Sequence, residues 1–411
     1  MTTMRRFLLM GVLCSLLVSG PAAWAAPVQI EFWHPYGPPW DAVYAKYGEL
    51  FNAAYPDVHV DVKSIPDLHT KLPVAVAAGA GPDVAHVWGV ANVIKFSNGV
   101  IQPLDQLLTA VPEFNPRDVF PAFLETFRYQ GRLWALPTSA QPTSLRWSKQ
   151  VFREAGLDEE RGPATQPEFE SFIRKLTRFK ADGSLERAGF RYGMWGGFFN
   201  WAYHWGGSFY DAQAHRFTAA APINVAALEW VLDLNEQLGG LSNLNTLVGA
   251  APGNPIYDGR LAMETASHYH YYLAYQEAPD FEYGFSIIPP LGPASARPKG
   301  PVVHTDAHVV VAGSDRPVEA ARFVFYTTLG PGALERIKLT GHPSASIATD
   351  RLATERELVP EWYPMALWQQ NFEVLARARP WPLIPVLADL TSEVERAAGQ
   401  AINRELSPSA A

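Results

Sequence analysis

Aromatic and polar side chains stand where predicted strands of this chain end, and together they could bind a small solute rich in hydroxyl groups. Trp33, His34 and Tyr36 end the first predicted strand, and Trp88 ends the third, which begins at Asp83. Aromatic rings pack against C–H surfaces, and charged or amide groups bind hydroxyls. Because open α/β sheets bind ligands at the carboxyl ends of their strands, these residues predict a binding cleft. Asp83 is equally compatible with a structural role in the preceding turn.

A second concentration of aromatic residues occupies the segment 192–210. Nine of its residues are aromatic, whereas aromatic residues make up 12% of the whole chain. Trp195 and Phe198 recur at helical spacing with Trp205, which predicts a buried helix face, and Trp201 falls off this face. Trp195 and Trp201 are each as compatible with a ligand contact as with the core. We predict that Trp201 faces the ligand across the cleft from the tryptophan that ends the third strand.

The histidines do not have the spacing of a metal site. On a strand, His304 and His308 would lie roughly 13 Å apart at 3.3 Å per residue, so both cannot bind one ion at about 2 Å. His268 and His270 fail in the same way. We therefore predict no metal and interpret His304 and Asp306 as partners of ligand hydroxyls.

Catalytic motifs are absent from the sequence. A glycosidase needs two carboxylic acids across the scissile bond, and no local stretch pairs them. The sequence also contains no G-x-S-x-G elbow, no Walker loop and no dinucleotide-binding glycine motif. We expect no catalytic residue and no cofactor. A polysaccharide-degrading enzyme remains the alternative.

These side chains must be positioned by alternating strands and helices, a pattern that predicts an α/β fold with largely parallel sheets. Pro137 and Pro142 fix the backbone of a segment that we predict to be a hinge. The main predicted strands are Val28–Trp33, His59–Val62, Asp83–Val87, Tyr283–Pro290 and Val302–Ala312. The main predicted helices are Trp40–Tyr55, Leu68–Ala78, Ile223–Leu238, Val318–Thr328 and one that begins at the Thr165–Glu168 capping box.

The first 25 residues have the pattern of an export signal. Arg5 and Arg6 precede an apolar run too short to span a membrane, and Ala23-Trp24-Ala25 offers a cleavage site. The pattern favours ordinary Sec export to the periplasm. The net charge of the chain is −8, and removal of this signal makes it two units more negative. We therefore expect neither nucleic acid nor an anionic membrane surface as a partner.

Three separated phrases resemble one protein family. They are the first strand with its loop (VQIEFWHPYG), the phrase YDGRLAM at 257–263, and the helix 321–325 followed by Thr340-Gly-His-Pro343. In this order they resemble the solute-binding proteins of bacterial ABC importers, in the branch that carries sugars and glycerol phosphates. In the turn at 340–343, His342 stands where the family usually has an aromatic residue.

The resemblance implies a periplasmic binding protein fold, with two lobes, a hinge and a ligand in the cleft between them. It implies a first lobe of residues 26–139 plus 286–340 and a second lobe of residues 140–285 plus 341–411. It further implies ligand contacts at Ser267, His268 and His342, two permease subunits with an ATPase as partners, and a monomer that is not embedded in the membrane.

The class of solute stays open between a neutral sugar and a glycerol phosphate or phosphodiester. Phosphate groups recruit arginine, lysine or a helix start, and the aromatic loops at 31–44, 79–94 and 192–210 contain neither Arg nor Lys. This favours a sugar. Arg260 and Lys299 remain available to a phosphate, as do Arg377 and Arg379, which precede the candidate contact Trp381. An aromatic cage would also suit a quaternary ammonium group.

Overall fold

The computed structural model describes residues 26–38, 40–140, 143–192, 197–211, 213–293 and 304–411. Two β-sheets with flanking helices organise this part of the chain into the two lobes of a periplasmic binding protein fold. The predicted export signal and Pro142 lie outside the described residues. No helix in the ranges given above is both long and apolar enough to cross a bilayer.

The sequence-predicted strands and helices are present, with ends displaced by a few residues in the described ranges, and the first two residues of the predicted strand Val302–Ala312 lie outside these ranges. The strands are β1 (Val28–His34), β2 (Val58–Ser64), β3 (Val84–Val87), β4 (Ile101–Gln102), β5 (Arg128–Tyr129), β6 (Arg132–Leu133), β7 (Leu136–Pro137), β8 (Ser144–Ser148), β9 (Arg178–Phe179), β10 (Leu185–Arg191), β11 (Tyr210–Asp211), β12 (Arg216–Phe217), β13 (Leu261–Ala266), β14 (Tyr283–Ile287) and β15 (Ala307–Val311).

The helices lie between these strands as far as β15, and the last five follow one another after it. They are α1 (Trp40–Ala54), α2 (Leu68–Ala77), α3 (Gly89–Phe96), α4 (Pro121–Thr126), α5 (Lys149–Glu154), α6 (Gln166–Leu176), α7 (Gly197–His204), α8 (Pro222–Gln237), α9 (Leu241–Gly249), α10 (His268–Glu277), α11 (Pro317–Thr328), α12 (Pro331–Thr340), α13 (Ile347–Glu355), α14 (Met365–Leu375) and α15 (Leu387–Ile402).

The two sheets are mixed rather than largely parallel. In the first sheet, with the order β2-β1-β3-β15-β4, β1 runs parallel to β2 and β3, and β15 runs antiparallel to β3. In the second, with the order β14-β8-β13-β10-β9, β10 and β13 are parallel while β8 is antiparallel to β13 and β14. Strands β1, β2 and β3 are joined through helices, which makes them parallel. The chain reaches β8 and β15 from the other lobe rather than through a helix from a neighbouring strand, so these two strands can run antiparallel.

The chain crosses between the lobes three times, in segments that contain residues 138–140, residue 306 and residues 341–343. Backbone hydrogen bonds join these three crossings. The N–H of Thr138 donates to the carbonyl of Asp306 at 2.9 Å, and the N–H of Ala140 donates to the carbonyl of Pro343 at 2.9 Å. Gly341 (φ +67°) ends α12 in the left-handed region and turns the chain into the third crossing. Strand β14 continues to Ile287 within the second sheet. The lobe boundaries proposed from the sequence, one of which falls at residue 285, stay a prediction.

A buried ion pair holds the centre of the second sheet. Arg146 on β8 donates to the carboxylate of Glu264 on β13, and both side chains are almost fully buried. The same guanidinium donates to the carbonyl of His270 at 2.9 Å and lies 5.7 Å from the ring centres of Tyr271 and Phe281. Because burial removes both charges from water, each depends on the other.

We expect the variant Glu264→Gln to lower the free energy of unfolding by about 3–5 kcal/mol, since it leaves a buried guanidinium without its counter-charge. The matched control is Glu393→Gln, which breaks the exposed ion pair of Glu393 with Arg396 and should cost less than about 1 kcal/mol. Urea unfolding followed by circular dichroism measures both. Equal losses in the two variants would contradict the structural importance of the buried pair.

Candidate functional site

The tyrosine that follows β1 is the centre of a hydrogen-bonded group at the carboxyl end of the first sheet. The Tyr36 hydroxyl accepts a hydrogen bond from the Trp88 indole N–H at 2.9 Å and donates to Asp306 Oδ2 at 3.2 Å. It also lies 3.2 Å from Nε2 of His86. Trp88 is 45% exposed and stacks on His69, whose ring centre is 4.5 Å away. The group thus presents an accessible indole beside a fixed carboxylate.

The carboxylate of Asp306 is held from two sides. Its Oδ1 accepts the backbone N–H of Gly89 at 3.2 Å, and its Oδ2 lies 3.6 Å from Nε2 of His86. Gly89 has φ +63°, a conformation that glycine adopts without strain where β3 turns into α3. Burial raises the pKa of Asp306, but the hydrogen bond and charge of His86 outweigh burial and hold that pKa below its ordinary value. Asp306 is therefore a charged acceptor at neutral pH.

A layer of buried rings supports this group from below. The ring of His34 stacks on Tyr44 with centres 4.5 Å apart, and the Tyr44 hydroxyl lies 3.2 Å from Nδ1 of His86. His308 is fully buried and pairs through Nδ1 with the Thr327 hydroxyl at 2.8 Å. Burial, with the neighbouring charge of His86, lowers the pKa of His34 to about 4. Burial lowers the pKa of His308 as well.

The second lobe contributes histidines from the start of α10 and from the last crossing. His268 is buried, and its Nδ1 is hydrogen-bonded to the Tyr363 hydroxyl, which also accepts from Asn371 at 3.2 Å. His342 is buried with Nδ1 3.0 Å from the carbonyl of Thr340, and its ring centre is 5.9 Å from that of His268. Burial and the nearby Arg336 lower the pKa of His342 to about 3, so its imidazole is neutral at pH 7.

The first residue of α1 joins the two groups. The ring centre of Trp40 lies 6.3 Å from Tyr36, 6.2 Å from Tyr269 and 5.1 Å from His342. Trp40 therefore connects the first sheet's loops to α10 and to the third crossing. We call the resulting set the interlobe cluster. It consists of Tyr36, Trp40, His86, Trp88, His268, Tyr269, Asp306 and His342.

The interlobe cluster has the chemistry of a binding site for hydroxyl groups. It combines aromatic rings from both lobes with one carboxylate and with the neutral imidazoles of His268 and His342, and none of its eight members is Lys or Arg. Within the described ranges, no three His, Cys, Asp or Glu side chains converge as metal ligands. Rings can pack on the C–H faces of a sugar while the carboxylate and imidazoles bind its hydroxyls.

The structure brings several of the sequence-predicted site residues together. Tyr36 is hydrogen-bonded to both Trp88 and Asp306. His304 lies near Asp306: burial lowers the pKa of His304, and the negative charge of Asp306 partly opposes this effect. His268 and His342 also belong to the interlobe cluster, and His34 lies beneath it. Their contact with a ligand stays a prediction.

Two of the predicted site residues have structural positions instead. Trp201 is fully buried and packs 5.3 Å from Trp230 and 5.4 Å from Tyr192, so the prediction that it faces the cleft is wrong. Helix α7 is buried on all sides, and a residue off one core face packs against another. Asp83 lies at the amino end of β3, where its oxygens accept the Glu31 N–H and the Ser314 hydroxyl. The structural alternative for Asp83 is the correct one.

The remaining predicted residues are not in the interlobe cluster. Trp33 lies on the other face of β1 from His34, and its indole donates to Glu31. Ser267 caps α10 through hydrogen bonds with His270. Trp381 stacks on Phe199 with ring centres 5.2 Å apart. Trp195 lies outside the described residues. Ligand contacts by these four residues therefore have no support from the described geometry.

Three aromatic residues of this region were not among the sequence-predicted contacts. Trp40 begins α1 directly after the first strand and its loop, which is the position where such folds bind ligands, so its place in the sequence carried a usable signal. Tyr269 follows the predicted His268. His69 lies on α2 and reaches Trp88 only through the tertiary fold, and no local pattern marks it.

Most of the chain matches a known protein family. Residues 34–328 match the family of bacterial extracellular solute-binding proteins. The chain belongs to this family. UgpB of Salmonella typhimurium, an sn-glycerol-3-phosphate-binding periplasmic protein, is 23% identical over 84% of this chain and 80% of its own length. A maltotriose-binding protein of Pyrococcus abyssi is 29% identical over 31% of this chain and 27% of its own length.

Solved structures of solute-binding proteins have the same fold. CpMnBP1 with mannobiose bound has a TM-score of 0.76 at 20% identity, with 93% of this chain and 97% of that chain covered. Lmo0181 from Listeria monocytogenes, an ABC substrate-binding protein in complex with cycloalternan, has a TM-score of 0.75 at 19% identity and covers 93% and 95%. The family and the fold predicted from the sequence are confirmed.

The lowered histidine pKa values predict a loss of stability in acid. Unfolding returns the pKa of His34 from about 4 to about 6.5, so the unfolded chain binds more protons between these pH values. The free energy of unfolding should therefore fall as the pH drops from 6.5 to 4, with up to about 3 kcal/mol contributed by His34. Urea unfolding at a series of pH values measures this decrease.

The comparison that isolates this histidine uses two variants. His34→Gln removes the buried titrating group and should show a shallower decrease than the wild type. The matched control is His59→Gln, at an exposed position of β2, which should retain the wild-type slope. Identical slopes in all three proteins would disprove the contribution of His34.

Proposed function

We propose that the protein is the solute-binding component of an ABC importer, that it captures a neutral carbohydrate between its lobes, and that it delivers the sugar to the permease. The observation that carries this proposal is the interlobe cluster, in which Tyr36 and His86 hold the carboxylate of Asp306. Trp40 links Tyr36 to Tyr269 and His342 of the other lobe. A partly exposed carboxylate in this position attracts hydroxyl donors and repels anions. The mannobiose, cycloalternan and maltotriose bound by proteins of the same fold or family support this class.

The proposal includes export by the leader at 1–25 and action in the periplasm, as for the periplasmic relative UgpB. Binding would leave the sugar chemically unchanged, because the interlobe cluster has a single carboxylate where hydrolysis of a glycosidic bond requires two acids. Hinge motion about the crossing segments would admit and release the solute.

A glycerol phosphate or phosphodiester is the second candidate solute, and one observation favours it. Arg336 on α12 is 5% exposed, and its Nε and Nη2 atoms are buried without a hydrogen-bond partner. It lies near His268 and His342, whose pKa values it helps to lower. A phosphate that reached this guanidinium would satisfy buried donors.

A thermal-shift screen of the purified protein distinguishes the two solute classes. We expect glucose, maltose, maltotriose and mannobiose to include at least one stabilising ligand, because a ligand present at a hundred times its Kd adds about 2.7 kcal/mol of stability. Glycerol-3-phosphate and glycerophosphocholine test the second candidate. If only these two compounds stabilise the protein, the solute is a glycerol phosphate or phosphodiester and the carbohydrate proposal is wrong.

Replacement of the exposed indole tests the site itself. Trp88→Ala should weaken binding of the stabilising sugar by roughly 1–3 kcal/mol, on the scale of one large apolar contact, with little loss of melting temperature because Trp88 is 45% exposed. Calorimetric titration measures the affinity. Phe217→Ala is the matched control, since Phe217 is 57% exposed on β12, outside the interlobe cluster. Unchanged affinity in Trp88→Ala would remove this residue from the site.

A further inference from the structure

Aromatic contacts do not stop at the interlobe cluster but continue outward along α10. The ring centre of Trp40 lies 5.5 Å from Tyr272, which in turn lies 6.1 Å from Trp362. Trp362 stacks on Tyr275 with ring centres 4.8 Å apart and an interplanar angle of 11°. The row therefore runs from the junction of the lobes to a pair of nearly parallel rings.

Exposure rises along this row. Tyr272 is 8% exposed, whereas Tyr275, one turn further along α10, is 46% exposed. Tyr271, on another face of the same helix, is buried beside Arg146. The tyrosines of α10 thus divide into one that packs in the second lobe and a row that leads from the interlobe cluster to solvent.

The outer ring pair is held in place from behind. A Cβ at Gly341 would lie 3.1 Å from Cη2 of Trp362 and 2.7 Å from Cδ2 of Tyr363, so the glycine lets the third crossing pass closely beneath these rings. Tyr363 is itself anchored by His268. Because Tyr275 stacks on an indole fixed in this way, its exposed ring is held rigidly. A ligand that binds to this ring would therefore cost little side-chain conformational entropy.

We propose that Tyr272, Trp362 and Tyr275 form an outer platform that binds further sugar residues of an oligosaccharide whose first residues occupy the interlobe cluster. This inference rests on the proposed carbohydrate function and extends it from a small sugar to an oligosaccharide. Tyrosine and tryptophan combine an apolar ring face with a polar group, as a sugar chain requires.

An acidic residue near the inner end of the row argues against an anionic occupant. The pKa of Tyr269, which packs on Trp40, is raised by burial and then by the nearby carboxylate of Glu277 at the end of α10. An acidic neighbour repels phosphates and anionic surfaces. The occupant that fits is neutral and continuous with the ligand of the interlobe cluster.

The experiment measures affinity against chain length. Calorimetric titrations use maltose, maltotriose and maltopentaose, and in parallel mannobiose, mannotriose and mannopentaose. In one of these series we expect the wild-type affinity to rise beyond the disaccharide. Tyr275→Ala should keep the disaccharide affinity within twofold and lower the pentasaccharide affinity at least fivefold. Tyr275→Phe, which keeps the ring, should retain most of the gain, and Phe179→Ala, another exposed aromatic position, should resemble the wild type.

Several outcomes would overturn the platform. Affinity independent of length, or equal loss for short and long sugars in Tyr275→Ala, would disprove it while leaving the carbohydrate function intact. Binding of no sugar by the wild type would refute both proposals. Unchanged affinity for every sugar in Tyr275→Ala, together with weaker ATPase stimulation of the reconstituted importer, would identify the ring pair as a permease contact instead.

Discussion

The hydrogen bonds between the crossing segments are the constraint on which the rest of the structure depends. The carbonyl of Asp306 accepts the Thr138 N–H, and the carbonyl of Pro343 accepts the Ala140 N–H. Asp306 therefore belongs to the crossing segments through its backbone and to the interlobe cluster through its carboxylate, which the N–H of Gly89 and the hydroxyl of Tyr36 hold. On the proposed function, a solute bound to this carboxylate would act directly on a residue of the predicted hinge. Recognition and hinge motion would then be coupled through one residue, without a longer pathway.

The electrostatics of the interlobe cluster follow from burial. Imidazoles removed from water lose protons more readily, so His342 and His268 are neutral at pH 7, while His86 and the backbone of Gly89 keep Asp306 charged. On the proposed function, the negative charge of Asp306 would favour hydroxyl donors over anions. The guanidinium of Arg336 lies near His268 and His342, so a ligand that reached it would meet a positive charge.

The sequence predicted the fold well because its signals are local. Alternation of apolar residues gave the strands, and Trp88 was found because it ends one of them. Strand direction is not local, so the antiparallel entry of β8 and β15 was missed. Asp83 was correctly placed at the start of β3, but its two alternative roles could be separated only by its tertiary contacts with Glu31 and Ser314. Trp201 was misplaced because helical spacing identifies one buried face, whereas α7 is enclosed on all sides. Contacts such as His69 with Trp88 arise only when distant segments pack together.

The aromatic contacts of Trp40 hold the two lobes together in this structure. Trp40 on the first lobe packs on Tyr269 and Tyr272 of α10 and on His342, and separation of the lobes must break these contacts. Aromatic pairs contribute about 0.5–1.5 kcal/mol each beyond their burial, so three of them favour closure by an amount comparable to a hinge equilibrium of a few kcal/mol. A ligand then has to supply only the remainder. On the proposed function, the rings expected to contact the solute would thereby reduce the difference in affinity between the two states that closure requires of it.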